Sequence, residues 1–482
     1  MNLHNTSLFR QQCYINGNWV EAENSQKINV TNPANGEIIG TVPKMGVSET
    51  RKAVVAAEKA QKNWAAKTAK ERAYILRKWH NLMLENMEDL ALILTLEQGK
   101  PLAEARGEIT YAASYLEWFA EEAKRIYGDV IPGVTTLQRV IVIKQPIGVT
   151  AAITPWNFPS AMITRKAGAA IAAGCSMVLK PATSTPFSAL ALAALSEEAG
   201  VPAGILNVLT GSSSEIGKEI TENPIVRKLS FTGSTEIGAK LIEKCAPTVK
   251  KLSMELGGNA PFIVFEDANI DKAVKGTMDS KFRNAGQTCV CANRIYVQQN
   301  VYDEFVKKLV QAVKQLHVGN GTDEKVSIGP LIDSNAVEKV KAHIADAVSK
   351  GAKIIEGGHA LGGNFFEPTI LVDVPIEAKV SKEETFGPLA PIFKFETEDE
   401  VIRYANDTEF GLASYFFTDN SERIFSVSEA LEYGIVGINT GLISSEMAPF
   451  GGIKASGMGR EGSKYGIEDY LEIKYLCLNL KK

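Results

Sequence analysis

Cys289 stands in the run Phe282-Arg-Asn-Ala-Gly-Gln-Thr-Cys289-Val-Cys291, beyond a helical stretch and beside Gly286 and small polar residues. A deprotonated thiol is a strong nucleophile, and nearby backbone N–H groups help both to ionise it and to hold an oxyanion. Upstream, Met254-Glu255-Leu-Gly-Gly-Asn259 sets one carboxylate against two glycines in an apolar neighbourhood. Such a setting raises a carboxyl pKa toward general-base duty. Taken singly, each has an ordinary reading: an inert cysteine and a loop glutamate.

Three further motifs have the chemistry of ligand contacts. Thr154-Pro-Trp-Asn-Phe-Pro159 brackets Trp156 and Asn157 with prolines that hold the backbone extended or turned. Lys180-Pro-Ala-Thr183 puts a cation where a strand ends, and Gly233-Ser234 lies between a strand-like run and a helical one, where free N–H groups suit a phosphate. Two look-alikes fail in context. Gly457-Met-Gly-Arg-Glu-Gly462 spells G-x-G-x-x-G but has no strand before it and no room for a βαβ unit after it, so it reads as a flexible turn. Gly233 to Lys240 resembles a P-loop with its lysine one place late.

The elements that must position these residues follow from periodicity. Asn16-Gly17 between short apolar runs predicts a hairpin. From Glu49 to about Ile126 the pattern is helical, three or four amphipathic helices interrupted at Pro101. Strand-like runs at Val149–Ile153, Ser176–Leu179, Ile205–Thr210, Lys228–Phe231 and Pro261–Phe265 then alternate with helices such as Thr164–Ala173 and Phe187–Glu198. Repeated βα units with apolar strands imply an open parallel sheet covered on both faces, with ligands at its carboxyl edge. After Cys289 the alternation resumes as a second α/β unit. The final run from Tyr470 to Asn479 alternates like a strand with nothing downstream to cover it, so it should pair elsewhere, another subunit being one such partner.

Composition narrows the class. Over 482 residues, 52 Lys+Arg against 56 Asp+Glu give −4 without long charged blocks, which argues against nucleic acid as a partner. No apolar stretch is long enough for a membrane span, and the first ten residues resemble neither a signal nor a transit peptide, so a cytoplasmic location is expected. Six scattered cysteines suit a reducing compartment, and the five histidines form no ligand-like spacing, so no metal is expected.

With these residues in hand the chain resembles the aldehyde dehydrogenase superfamily over essentially its full length. The resemblance rests on Pro155-Trp-Asn-Phe-Pro159, Lys180-Pro181, Phe231-Thr-Gly233-Ser234, Glu255-Leu-Gly-Gly258, Gly286-Gln-Thr-Cys289, Glu384-Thr-Phe386-Gly-Pro388 and Pro449-Phe-Gly-Gly452, in family order. It implies an α/β fold of two open parallel-sheet domains plus a small β oligomerisation flap: a cofactor-binding domain over residues 1–127 and 148–256, a catalytic domain over 257–466, and a flap over 128–147 and 467–482. It also implies Cys289 as nucleophile, Asn157 with the Cys289 N–H as oxyanion hole, and Glu255 as the base that releases the acid. Glu384 would bind the nicotinamide ribose, and Trp156, Asn157, Gly233, Ser234, Leu256 and Phe386 would line the cofactor path.

Within the superfamily the chain is most similar to enzymes that oxidise succinate semialdehyde, with glutarate-semialdehyde enzymes and broader aldehyde dehydrogenases as alternatives, and the likeness carries a place in GABA degradation. Arg165, Arg283 and Ser444 are then expected to hold the distal carboxylate, because a buried carboxylate needs a cation. Thr183 occupies the place where NAD-using relatives commonly carry a glutamate, so with Lys180 it favours NADP, NAD being weaker. Cys291, two residues past the nucleophile, is a candidate redox partner. The implied partners are a small semialdehyde and further copies of the chain, as a dimer or tetramer. Two other classes stay open at this point: a thiol hydrolase or acyltransferase, and a catalytically silent relative. The retained Cys289, Glu255 and Asn157 speak against the second.

Overall fold

The computed structural model describes residues 2–481. Its first sheet has eight strands, in the order Asn18–Val20, Cys13–Ile15, Leu206–Val208, Ser176–Lys180, Val149–Ile153, Val226–Thr232, Lys251–Glu255 and Gly457–Met458. The pairings from Leu206–Val208 to Lys251–Glu255 are all parallel, and the outer strands run antiparallel. The hairpin turns through Asn16 (φ 52°) and Gly17 (φ 75°), as the Asn-Gly pair demands.

Four helices, Val47–Ala65, Ala69–Glu85, Met87–Gln98 and Leu102–Glu122, occupy the predicted helical region, the last starting directly after Pro101. Buried beneath them is Ala161–Ala173, in which all thirteen residues are buried, Arg165 and Lys166 included. Its alanines and Gly168 let it pack closely against Leu102–Glu122: a Cβ at Gly168 would stand 3.2 Å from the Phe119 ring. Two cations inside such a helix must find an anion.

The second sheet has seven strands, Lys353–Glu356, Thr369–Val372, Leu389–Phe395, Ala292–Gln298, Ala260–Val264, Ala413–Phe417 and Ile435–Ile438, parallel except at the first edge. A separate apolar core surrounds it. The run near Pro261 therefore opens the second unit rather than closing the first. Sequence alternation alone does not separate them, because both are built from apolar parallel strands.

The C-terminal strand Leu471–Asn479 pairs antiparallel over its whole length with Gln138–Pro146 of the same chain, which also pairs with Asp129–Pro132. Its outer edge stays open, and Ile473, Tyr475 and Leu478 are exposed on it. Among the described residues no helix is long and apolar enough to cross a membrane.

The segment from Gly457 departs from the expected flexible turn. Gly457–Met458 is a strand against Met254 and Glu255. A Cβ at Gly457, where φ is 124°, would lie 1.9 Å from the Met254 carbonyl oxygen. This glycine serves the close approach of two backbones, and Glu461 beyond it is buried.

Candidate active site

The carboxyl ends of Val149–Ile153, Val226–Thr232 and Lys251–Glu255 open into a cleft of about 340 Å³ that narrows onto Cys289. Trp156, Gly233, Ser234 and Leu256 line its sheet side, and Glu384 and Phe386 the side of the second unit. Trp156 and Phe386 meet edge to face with centroids 5.6 Å apart. Gly233 leaves no room for a side chain, since a Cβ would stand 2.4 Å from the Phe231 ring. Ser234 caps the helix Thr235–Cys245, its Oγ accepting from the N–H of Ile237 at 3.4 Å. The Glu384 carboxylate accepts from the N–H of Gly258 at 3.2 Å, and burial pushes its pKa up to about 7.

Lys180 and Thr183 lie outside that cleft, at the end of Ser176–Lys180. The Lys180 ammonium is buried, donates to the Pro181 carbonyl at 3.2 Å, and is pushed down to about 8 by burial. Thr183 is exposed beside it. A buried cation with one carbonyl partner and an exposed hydroxyl suit an anion arriving from solvent.

Cys289 follows three consecutive left-handed residues, Asn284 (φ 51°), Ala285 (φ 54°) and Gly286 (φ 74°). A Cβ at Gly286 would lie 2.1 Å from the carbonyl oxygen of Gly387, so the motif from Glu384 to Pro388 packs directly onto the cysteine loop. Cys289 is half-buried, and desolvation pushes its thiol up to about 12, helped by Glu255 and Glu384 and opposed by Arg165 and Arg283. The Asn157 Nδ2 donates to the Gln287 carbonyl at 3.0 Å, which uses one of its two amide hydrogens. None of the hydrogen bonds among the described residues uses the Cys289 backbone N–H. The second Asn157 amide hydrogen and the Cys289 N–H are thus left without a partner among the described residues.

Glu255 ends the strand Lys251–Glu255 and is buried with neither carboxylate oxygen hydrogen-bonded. Burial, with the Glu461 charge second, raises its pKa well above the carboxylate range, against the pull of Arg165, Lys166 and Arg460. That strand escapes sequence reading because lysine and glutamate close a five-residue run containing a single leucine and methionine.

On the far side of Cys289 is a narrow space of about 30 Å³ bounded by Tyr111, Phe158, Arg165, Arg283, Ser444 and Phe450. The three expected substrate residues are therefore brought together. The two arginines differ. Arg165 forms a buried ion pair with Glu461 and lies over the Phe450 ring, its Nη1 without a partner. The Arg283 guanidinium lies 5.2 Å from the Phe158 ring centroid, and no ion pair among the described residues includes it. Cys291 lines neither space; it is buried with its Sγ 3.4 Å from Lys281 Nζ.

Sequence reading missed the charged scaffold. Glu461 pairs with both Arg165 and Lys166 and accepts from Ser230 Oγ at 3.1 Å. Burial opposes its ionisation, yet the two cations hold its carboxyl down to about 2. Lys100 pairs with Glu108 at 2.5 Å, both buried. Adjacent Arg165 and Lys166 inside an alanine-rich helix were the legible signal of the first cluster.

A half-buried cysteine, an unpartnered buried glutamate and a glycine-lined cleft at a parallel sheet's carboxyl edge stand where the sequence motifs place them. The chain belongs to the aldehyde dehydrogenase family, whose pattern matches residues 19–476. It is 69% identical over 482 residues, all of both chains, to an NADP(+) succinate-semialdehyde dehydrogenase of Escherichia coli K12. Over 480 residues, covering 100% of both chains, it is also 69% identical to a glutarate-semialdehyde dehydrogenase of Pseudomonas putida. A crystal structure of an Escherichia coli NADP-dependent enzyme superposes with a TM-score of 0.99 at 69% identity, covering 99% of this chain and 100% of that one.

Proposed function

We propose that this protein oxidises succinate semialdehyde to succinate with NADP, through a thiohemiacetal and a thioester on Cys289. The observation that carries the reading is the narrow space in which Cys289, the unpaired Arg283, the orphaned Arg165 Nη1 and Ser444 meet. A carboxylate at one end of a short chain satisfies the cations while its aldehyde reaches the sulfur.

The Cys289 thiol, its pKa held up to about 12 by burial, gives its proton to solvent, and the small thiolate fraction attacks the carbonyl carbon while the oxyanion receives the Asn157 Nδ2 and Cys289 N–H donors. NADP, when bound, supplies the hydride acceptor. Loss of hydride leaves a thioester on Cys289. Glu255 then takes a proton from water, the water oxygen attacks the thioester carbon, and the C–S bond breaks to free the acid and the cysteine.

The cofactor fits the residues present. Lys180 and Thr183 would hold the 2′-phosphate, Gly233 and Ser234 the phosphates at a helix N-terminus, and Glu384 the nicotinamide ribose, with Trp156, Leu256 and Phe386 as walls. We assign cofactor binding to residues 1–127 and 148–256, catalysis to 257–466, and oligomerisation to 128–147 and 467–482, as a dimer or tetramer. The exposed apolar strand Leu471–Asn479 with its open edge supports that last assignment. A cytoplasmic location and a role in GABA degradation accompany the substrate assignment. Cys291 is assigned as a redox partner of Cys289 on its place two residues beyond it; burial raises its thiol pKa against the pull of the Lys281 ammonium 3.4 Å away.

A glutarate-semialdehyde reading has a relative of equal identity behind it. The test is reduction of NADP and NAD, followed in the near ultraviolet, with succinate semialdehyde, glutarate semialdehyde and butanal. The reading requires succinate semialdehyde with NADP to give the highest kcat/KM. A preference for butanal contradicts it.

A further inference from the structure

Asn157 lies in the loop between Val149–Ile153 and Ala161–Ala173, outside any strand ladder, so something other than the sheet must hold it. Its carboxamide is tied to the cysteine loop through Gln287 O. Its backbone carbonyl accepts from Lys100 Nζ at 2.8 Å and from Asn284 Nδ2 at 3.1 Å. We propose that Lys100, held by Glu108, is a positioning residue that fixes Asn157 as oxyanion donor. This inference rests on the covalent mechanism above.

The scaffold, Gln98 to Glu108 across the junction of Met87–Gln98 and Leu102–Glu122, reaches both halves of the oxyanion site. Glu108 grips Lys100 with Oε2 and, with Oε1, accepts from the N–H groups of Ser160 (2.9 Å) and Ala161 (3.3 Å), which anchors the far end of the Asn157 loop. Gln98 holds Lys100 N through Oε1 and donates from Nε2 to Asn284 Oδ1, each at 3.0 Å. Glu104 accepts from the N–H of the left-handed Asn284 at 2.9 Å. The Lys100 ammonium also lies 3.8 Å from the centroid of Phe158, the ring that Arg283 approaches.

A buried ammonium is costly to desolvate, and a methionine would fill the same space without that cost. What methionine cannot do is bond a carbonyl. Misplacing a reacting-site group by about 1 Å costs up to about a hundredfold in rate, so fixing the Asn157 backbone has a direct catalytic consequence.

The full-length chain should be compared as wild type, Lys100→Met, and the charge-balanced pair Lys100→Met with Glu108→Gln, which removes the Glu108 charge together with its Lys100 partner. Each is assayed for kcat and KM with succinate semialdehyde and with butanal, and for the rate at which iodoacetamide alkylates Cys289. Both variants should lose about tenfold or more in kcat, keep KM for aldehyde and NADP within about twofold, and alkylate at the wild-type rate. Wild-type kcat in the double variant overturns the proposal. So does a loss of alkylation and cofactor affinity in step with kcat, the mark of general structural support. If wild type prefers butanal, the substrate reading fails while butanal still tests Lys100; a wild type inactive toward every aldehyde sinks both.

Discussion

Arg283 and Arg165 bound the same space beside Cys289, but their surroundings assign them unequal duties. Arg283 has a ring beneath it and no carboxylate partner, so its removal subtracts substrate binding alone. A charge-assisted contact contributes about 1.5–3 kcal/mol. Arg283→Ala should therefore lower kcat/KM for succinate semialdehyde by roughly ten- to a hundredfold and spare butanal; an equal fall for both aldehydes contradicts the assignment. Arg165→Met should lower both and also the unfolding temperature, because Glu461 keeps only Lys166 as a buried cation. Cofactor choice is read at Lys180. With a pKa near 8 in the free protein, its ammonium is charged below that pH and neutral above it. KM for NADP should rise as pH passes 8, with KM for NAD much less affected, and Thr183→Glu should shift preference toward NAD. Parallel pH profiles for the two cofactors would show that Lys180 does not meet the 2′-phosphate.

At the scale of elements, the cysteine loop depends on backbone that glycine permits. Gly286→Ala would need both φ 74° and a Cβ 2.1 Å from Gly387 O, so the loop must shift. Activity should fall by up to about a hundredfold, with slowed iodoacetamide alkylation of Cys289 as the accompanying sign; unchanged alkylation would mean the loop is not held by this contact. Much at this scale was legible. The strands around Val149–Ile153 and Ser176–Lys180 are continuous apolar runs, and the glycine and proline motifs sit at strand ends where a parallel sheet puts its ligands. What was hidden shares a cause. Lys251–Glu255 lacks an apolar run, Thr369–Val372 is only four residues long, and Gly457 looked like a flexible turn because its role is to meet Met254 from across the sheet. The Lys100–Glu108 and Arg165–Glu461 pairs join residues 8 and 296 positions apart, and no local period encodes the second of these.

Over the whole molecule, two α/β units share one site, and a three-stranded antiparallel sheet projects with apolar residues on its surface. Ile473 and Tyr475, 72% and 61% exposed, share one face of that sheet, and Val130, 76% exposed, lies on the other. We expect Ile473→Lys with Tyr475→Lys to reduce the mass in solution from an oligomer to a smaller species, measured by light scattering. A wild type that is already monomeric contradicts the flap assignment.

Both units must meet for the covalent cycle, since Glu255 ends a strand of the first sheet and Cys289 precedes a strand of the second. The most direct measurement of that cycle is intact-protein mass spectrometry of Glu255→Gln after mixing with succinate semialdehyde and NADP. The account predicts a single burst of reduced cofactor and a succinyl adduct on Cys289 that Cys289→Ala does not form. Steady turnover by Cys289→Ala, or wild-type turnover by Glu255→Gln without an adduct, would contradict it.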